Sequence, residues 1–235
     1  MRALILSDIH GNLEALEAVL AAAGPCDQVW NLGDVVGYGA SPNAVVERVR
    51  AVSTHGVRGN HDKVCAGLAS AAQFNPTARD AAMWTHDQLT PEALEWLREL
   101  PGGPLLCQAD TVALCHGSPL HEDIYILNIR DAWAPMQQMQ ARYTFFGHTH
   151  VQGGFGWEDG RWFEVRPLQQ RSGRQRSQWT LHLGESRRFL LNPGSVGQPR
   201  DGDWRAAYAV LDDRRDTVTF HREPYDVDLA GGRIL

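Results

Sequence analysis

Polar side chains with metal-ligating atoms recur directly after short apolar runs in this sequence. Asp8 and His10 follow the run Ala3–Leu6, and Asp34 follows a second apolar run. An Asp-x-His triplet offers one hard oxygen and one imidazole nitrogen, which is half of a metal site. In an extended chain the two side chains of such a triplet point the same way. A single triplet is weak support for a site, so its meaning depends on partners elsewhere in the chain.

Five predicted strand ends carry residues of this kind. In an open α/β sheet the carboxyl ends of the strands are where ligands bind, so these side chains are expected to meet at one edge. Seven of them have side chains typical of ligands for a first-row metal, which suits two ions that share a bridging carboxylate. The strand-end residues are Asp8, His10, Asp34, Asn60, His61, His116, His148 and His150.

The donor types also limit the metal. The strand-end residues offer carboxylate, amide and imidazole groups and no thiolate, which favours a borderline-hard ion. Mixed oxygen and nitrogen ligation does not choose among Mn, Fe, Ni, Co and Zn. The residues alone therefore imply a divalent transition metal without naming it.

The first third of the chain alternates strand and helix patterns. Short apolar runs at Ala3–Leu6 and Gln28–Leu32 predict strands, and helical spacing follows the N-cap residue Asn12 and the pair Ser41-Pro42. The polar stretch 59–62 is predicted to be a loop. This alternation implies parallel strands joined by right-handed crossovers.

The remainder divides into a helical part and a β part. Residues 65–101 predict a helical hairpin that caps part of the sheet and overhangs the strand ends. Strands are predicted near 111–115 and 143–146, with a helix over 129–141 between them. The stretch 153–221 is mainly β in pattern. No convincing linker divides the sequence, so we expect one domain over all 235 residues.

Composition excludes several classes of partner. A net charge of −6 gives no general attraction to nucleic acid or to anionic membranes, so we expect stable binding to neither. The four cysteines form no Cys-x-x-Cys pair and are expected to be reduced thiols. No apolar run approaches the roughly 18 residues of a membrane span, and the amino terminus lacks a signal-peptide core. We therefore expect a cytoplasmic protein. Lys63 is the only lysine among 22 basic residues, which we attribute to codon bias.

The motifs, taken together and in order, resemble those of the calcineurin-like metallophosphoesterases. That family carries Asp-x-His, Gly-Asp, Gly-Asn-His-Asp/Glu, His-Gly and Gly-His-Thr-His, followed by a strand-end turn. The resemblance extends over about four-fifths of the chain and departs from the family pattern at no motif position. The matching segments here are Asp8-Ile9-His10, Gly33-Asp34, Gly59-Asn60-His61-Asp62, His116-Gly117, Gly147-His148-Thr149-His150 and Asn192-Pro193-Gly194-Ser195.

The resemblance implies a fold and a ligand set. The expected fold class is α/β, a four-layer α/β/β/α sandwich with a dinuclear metal site at the C-terminal strand ends. A carboxylate is the side chain best suited to lie between two dications. By motif, Asp34 is the bridge, with Asp8, His10 and His150 at one metal and Asn60, His116 and His148 at the other.

The resemblance also implies a reaction. A hydroxide bridging the two metals attacks phosphorus in line, with no covalent enzyme intermediate. His61 is the candidate general acid for the leaving oxygen, and Asp62 is expected to orient it. The implied cofactor is a pair of divalent transition metal ions, with Mn preferred and Fe, Ni, Co and Zn as alternatives.

Five residues outside the motifs are candidates for substrate contact, each with an ordinary structural alternative. Tyr38 either lines the pocket or packs on the helix beyond it. Asn75 and Tyr125 are equally open, and His121 lies in a loop near the site. Arg200 either neutralises substrate charge or pairs with one of the two aspartates that follow it, and we favour the pair.

The function favoured by these residues is a metal-dependent phosphoesterase that hydrolyses phosphodiester or phosphomonoester bonds. The sequence is similar to the small bacterial and archaeal phosphodiesterases of the family. The expected substrate is a small phosphate ester such as a nucleotide. A protein Ser/Thr phosphatase or a dinucleoside-polyphosphate hydrolase is the enzymatic alternative. Either would need an added recognition surface, for which the 65–101 cap and an Arg-rich hairpin over 166–188 are the candidates. A scaffold on the same fold is the non-enzymatic alternative, which the complete motif set disfavours.

Overall fold

Two six-stranded β-sheets form the centre of the structure, a computed structural model that describes residues 1–168 and 175–234. In the first sheet the three amino-terminal strands are parallel to one another, and the other three add to it in antiparallel pairs. Its strands, in spatial order, are β3 (His55–Gly56), β2 (Gln28–Asn31), β1 (Arg2–Leu6), β11 (Ala206–Asp212), β12 (Thr217–Glu223) and β9 (Ser177–His182).

The second sheet repeats this mixed arrangement. Its three central strands are parallel, and antiparallel strands close both edges. In spatial order they are β4 (Leu105–Cys107), β5 (Val112–Leu114), β6 (Tyr143–Phe145), β10 (Arg188–Asn192), β7 (Gly153–Glu158) and β8 (Arg161–Val165).

Helices cover the outer faces of both sheets. Helix α1 packs on strands β11 and β12 of the first sheet, and α6 packs on β10 of the second. The predicted four-layer α/β/β/α sandwich is confirmed. The helices are α1 (Leu13–Ala23), α2 (Pro42–Val52), α3 (Asn60–Cys65), α4 (Pro76–Gln88), α5 (Pro91–Glu99), α6 (Ile129–Gln138) and α7 (Val227–Gly232).

The hydrophobic core is layered because strand side chains alternate between faces. On β1, Ala3 and Ile5 point between the sheets, where they join Trp30 and Phe145. The intervening β1 residues face the helices that cover the first sheet. The first strand is therefore buried on both faces, as its continuous apolar run predicts.

Helix starts agree closely with the capping residues in the sequence. The side chains of Asn12, Asn75 and Thr90 each accept a hydrogen bond from the first turn of the following helix, so α1, α4 and α5 begin where expected. The stretch 65–101, predicted as a helical hairpin, contains α4, α5 and a short 3₁₀ turn at Ala71–Gln73, and its two helices pack against α2 and α3.

Two local predictions are wrong. The stretch 59–62 is not a loop, because helix α3 begins at Asn60, where the Asp62 carboxylate accepts the Gly59 backbone N–H and caps the helix. The Arg-rich stretch 166–188 is not a hairpin, because β8, β9 and β10 do not pair with their chain neighbours across it. The chain instead crosses from the second sheet to the first and back. Arg171 and Arg174, which were expected on this hairpin, lie outside the described residues.

Further features complete the description of the fold. Strand β4 at the edge of the second sheet and the carboxy-terminal helix α7 were not anticipated. The four cysteines are free, and three of them are buried. Among the residues that the structure describes, no helix combines the length and the apolar character needed to span a membrane.

Candidate metal centre

The turns that follow β1, β2 and β6 hold the strand-end residues in an unusual backbone conformation. Asp8, His10, Asp34, His148 and His150 have φ angles of 53°, 52°, 53°, 66° and 58°. Positive φ is uncommon for residues other than glycine, and such positions cluster at functional sites. The chain is therefore not extended between Asp8 and His10. The expectation of an extended Asp-x-His triplet is wrong. The two side chains meet because the backbone turns.

One cluster joins the first sheet to the second. Asp8, His10, Asp34 and His150 each present one ligand atom, and these four atoms all lie within 4.8 Å of one another. The His150 Nε2 lies 3.2 Å from the His10 Nε2 and 3.3 Å from the Asp8 Oδ1. All four residues are buried.

A second cluster shares Asp34 with the first. The Asp34 Oδ2 lies 3.4 Å from the His116 Nε2 in this cluster and 3.6 Å from the His10 Nε2 in the other. The His116 Nε2 is also 3.1 Å from the His148 Nδ1 and 3.1 Å from the Asn60 Oδ1. The structure thus brings all seven candidate ligands together, with one carboxylate oxygen of Asp34 between the two groups.

Hydrogen bonds define which imidazole nitrogen faces each cluster. The Nδ1 atoms of His10, His116 and His150 lie 3.1, 2.9 and 2.6 Å from the backbone oxygens of Val36, Leu32 and Gln198, respectively. A carbonyl oxygen only accepts, so each Nδ1 carries a proton and each Nε2 faces its cluster, with a free lone pair wherever the imidazole is neutral.

The arrangement of imidazole nitrogens in the first cluster indicates whether a cation fits there. In the first cluster the Nε2 atoms of His10 and His150 face each other at 3.2 Å beside the carboxylates of Asp8 and Asp34. Two neutral imidazoles with lone pairs aimed at the same point repel unless a proton or a metal ion lies between them. Buried carboxylates and neutral imidazoles are ligands that suit divalent transition metals. The residues of both clusters therefore fit bound divalent metal.

The pKa values of the histidines in the second cluster also indicate a site that favours a cation. Burial, together with the nearby His116 imidazole, lowers the pKa of His148 to about 3. Burial also disfavours charge on His116, but the Asp34 carboxylate outweighs this and raises the pKa of His116 to about 10. His116 thus retains a proton beside Asp34 when no metal is bound. Metal binding at this position must displace that proton.

His61, the candidate general acid, lies beside the first cluster, with its ring centroid 5.0 Å from that of His10. Its side chain is 5% exposed, and its ring packs against Tyr38 at 4.7 Å and Phe74 at 4.6 Å between centroids. Its backbone N–H donates to the Asp34 Oδ1 at 2.8 Å, which ties the residue to the shared carboxylate. Burial lowers the pKa of His61, and the Asp34 carboxylate opposes that shift.

Asp62 does not orient the His61 ring as predicted. Its two carboxylate oxygens accept the backbone N–H groups of Val36 and Gly59 at 3.1 and 3.0 Å. The buried Nδ1 of His61 has no hydrogen-bond partner among the described residues. Asp62 therefore holds the loop after β2 against the start of α3. Burial and the neighbouring Asp34 raise the pKa of its carboxyl group to about 7.

Four of the five substrate-contact candidates line one cavity of about 580 Å³ in front of the clusters. Tyr38, Asn75, Tyr125 and Arg200 are all in its wall, and Tyr125 stacks on the ring of a candidate ligand. His121 is exposed and is not part of this wall. Its Nδ1 instead accepts a backbone N–H within its own loop.

The pairing that we favoured for Arg200 is wrong. Asp201 pairs with Arg222 on strand β12, and Asp203 pairs with Arg205. Both aspartates are therefore engaged by arginines that the linear sequence places farther away, and the Arg200 side chain is left at the cavity wall.

Several residues shape the site through contacts that the sequence did not indicate. Phe74 and Lys63 line the same cavity. Ser195 in the turn after β10 donates to the backbone oxygen of Asp8 at 2.7 Å and so couples the two sheets at the site. Ser7 donates to the Asp8 Oδ2 at 2.6 Å. The single signal in the sequence for Lys63 was that it is the only lysine in the chain.

Comparison with known proteins agrees with this geometry. Residues 1–216 match the family model described as the calcineurin-like phosphoesterase superfamily domain. An uncharacterized protein from Methanocaldococcus jannaschii is 33% identical over 243 residues, which cover 98% of this chain and 90% of that protein.

Two solved structures extend the comparison. A metallophosphoesterase from Sphaerobacter thermophilus superposes with a TM-score of 0.83 at 38% identity, covering 100% of this chain and 92% of the other. A hypothetical protein from Pyrococcus horikoshii OT3 has the same fold, with a TM-score of 0.75 at 20% identity and coverage of 99% and 92%. The match over residues 1–216, together with these relatives, shows that the chain belongs to the calcineurin-like phosphoesterase superfamily.

Proposed function

We propose that this protein is a metal-dependent phosphoesterase that uses two divalent transition ions, preferably Mn, to hydrolyse a small phosphodiester or phosphomonoester. The observation that carries the proposal is the position of Asp34. Its Oδ2 lies between His10 of one cluster and His116 of the other, at 3.6 and 3.4 Å from their Nε2 atoms. A buried carboxylate in this position is suited to bridge two dications.

The proposed roles of the residues follow from their positions. Asp8, His10 and His150 would hold one ion, and the second ion would lie among the other cluster's residues, Asn60, His116 and His148. Bound ions of this kind supply an activated water and neutralise charge on the phosphoryl oxygens.

His61 is proposed to protonate the leaving oxygen. It lines the same cavity as the two clusters, and its backbone is tied to Asp34 at 2.8 Å. A buried imidazole with a lowered pKa holds its proton weakly, which favours transfer to an alkoxide or phenoxide as the bond to phosphorus breaks. Neighbouring rings restrict the ring, so the proton is delivered from a defined direction.

The first experiment compares substrates in the presence of Mn²⁺. An aryl phosphomonoester, an aryl phosphodiester, cyclic nucleotides and a dinucleotide are assayed side by side. We expect hydrolysis that requires added metal and prefers the diester. Hydrolysis of the monoester alone would refute the diester preference. A chain that binds no metal and hydrolyses nothing would instead favour a scaffold on this fold.

The second experiment replaces His61 by alanine. We expect the variant to retain both metals and to lose turnover by about 10²-fold or more, because general acid catalysis contributes on that order. The loss should be greater for alkyl esters than for nitrophenyl esters, whose leaving group needs little protonation. The matched control is His182→Ala, since His182 is exposed on β9. Metal loss that accompanies the activity loss in His61→Ala would contradict the general-acid role.

A further inference from the structure

A guanidinium group lies at the mouth of the metal centre beside two phenols. Arg200, Tyr38 and Tyr125 all line the cavity that contains Asp34 and His150. Burial raises the pKa of both tyrosines, and the Arg200 guanidinium that interacts with each hydroxyl opposes that rise. The hydroxyls of both tyrosines thus lie beside the Arg200 guanidinium in the cavity wall.

The backbone of Arg200 is anchored to the metal centre. Its N–H donates to the backbone oxygen of His150 at 3.2 Å, and its Nη2 donates to the Gln198 Oε1 at 2.8 Å. The next residue, Asp201, is held by an ion pair with Arg222 on strand β12. An arginine tied in this way approaches the cavity from a defined direction although its side chain is exposed.

Charge accounting distinguishes Arg200 from the other cation of the cavity wall. The Lys63 Nζ lies 2.9 Å from Glu122 and 2.6 Å from Asp123, and Glu122 also pairs with Arg58 at 3.1 Å. These two cations and two carboxylates cancel. Arg200 contacts neutral groups, and among the described residues it forms no ion pair with a carboxylate. It therefore brings one uncompensated positive charge to the cavity.

One part of the cavity wall, drawn from residues 69–75, carries no charged side chain. It is formed by the segment between α3 and α4, where Phe74 packs on the His61 ring. With a volume of about 580 Å³, the cavity has room for a ligand of nucleoside size beyond the metal centre. The residues of this wall are Ala69, Ser70, Ala72, Gln73, Phe74 and Asn75.

We propose that Arg200 binds the non-bridging oxygens of a single phosphoryl group, and that the substrate is an ester of one phosphate with an uncharged, partly apolar group of nucleoside size. This inference rests on the proposed function of the metal centre. An arginine fork matches phosphate oxygens in geometry and charge. The cavity offers one cation without a carboxylate partner among the described residues, and the wall formed by residues 69–75 is uncharged. The additional negative charges of a polyphosphate chain would therefore lack partners. The inference therefore separates this protein from dinucleoside-polyphosphate hydrolases.

The first test measures binding rather than turnover. Inorganic phosphate is titrated calorimetrically into the Mn-loaded chain, into Arg200→Gln and into the control Arg50→Gln, which alters an exposed arginine on α2. We expect the dissociation constant for phosphate to rise about tenfold in Arg200→Gln and to stay unchanged in the control, because a charge-assisted hydrogen bond is lost. Metal content and urea unfolding should match the wild type in both variants. An unchanged phosphate affinity in Arg200→Gln would overturn the proposal.

The second test addresses the substrate class with the unaltered protein. Adenosine mono- and triphosphate are compared as ligands of the Mn-loaded chain at constant free Mn²⁺. We expect the monophosphate to bind at least as tightly as the triphosphate. A triphosphate that binds ten times more tightly would overturn the single-phosphoryl assignment. Phosphate binding that depends on Arg200 without any ester hydrolysis would refute the proposed enzymatic function and leave the phosphate site standing.

Discussion

Replacing Gly59 by alanine should damage the metal centre although no candidate ligand is replaced. Gly59 has φ −100° and ψ 178°, a conformation that alanine adopts without strain. A Cβ at this position would lie 2.1 Å from the Asp34 Oδ1 and 2.4 Å from the Asp34 backbone nitrogen. The effect of the substitution is therefore steric and is directed at the shared carboxylate.

The magnitude follows from this contact. Real Cβ atoms essentially never approach closer than 3.0 Å, so Asp34 or the start of α3 must move by the difference of roughly 0.9 Å. Overpacking of a buried site costs about 1–3 kcal/mol. We expect a loss near the upper end, about 3 kcal/mol, because the displaced carboxylate also accepts the His61 N–H. A displacement of this size should also lower the affinity for Mn²⁺ by about 10-fold to 100-fold.

The assay is urea unfolding of the metal-free chain followed by tryptophan fluorescence, together with calorimetric Mn²⁺ titration. Gly231→Ala is the matched control, because a Cβ there would have no heavy atom within 4 Å and Gly231 lies in helix α7. The control should be neutral or stabilising by about 0.5–1 kcal/mol. Gly59→Ala with wild-type stability and wild-type Mn²⁺ affinity would refute the view that the close approach of this glycine holds Asp34 in place.

Two further predictions concern the groups around the clusters. Asp34 raises the pKa of His116 from 6.5 to about 10 despite the opposing effect of burial. In the metal-free chain, the contribution of this group to the free energy of unfolding is therefore complete below pH 6.5 and is lost as the pH rises to about 10. Urea unfolding in a chelator should show this decline, and His116→Gln should flatten it; an equal slope in the variant would contradict the assignment. Ser195→Ala removes the hydroxyl that donates to the Asp8 backbone oxygen and accepts the Gln198 N–H. It should cost about 1–3 kcal/mol in urea unfolding, since the partly buried Gln198 N–H is left unpaired, and a cost near zero would contradict that coupling.

Local chemistry made the element starts and the strand-end positions predictable from amino-acid order alone. A capping side chain such as Asn75 accepts a hydrogen bond from the turn that follows it, so the start of the helix can be predicted from a few neighbouring residues. The continuous apolar run of β1 likewise requires burial on both faces, wherever its partners come from. The motif order was therefore sufficient to anticipate the fold class and to collect the candidate ligands.

Local rules failed where a distant partner decides the outcome. Helix α3 starts at Asn60 because Asp62 caps it while holding Val36 from another loop. The stretch 166–188 crosses between sheets, since β9 pairs with β12 and β10 pairs with β6 and β7. Neither partner is close in the chain, so no nearby pattern reports it.

The site shows the same division. Side-chain chemistry in the sequence was enough to identify Asp34 as a candidate metal ligand. Its position between the two clusters arises because parallel strands of two different sheets end at one place. Arg200 is the clearest case. Asp201 is adjacent to Arg200 in the chain, but it forms an ion pair with the buried Arg222 of strand β12 instead. Burial makes the Arg222 charge costly unless it is paired, so tertiary packing assigns Asp201 to it and leaves Arg200 facing the cavity.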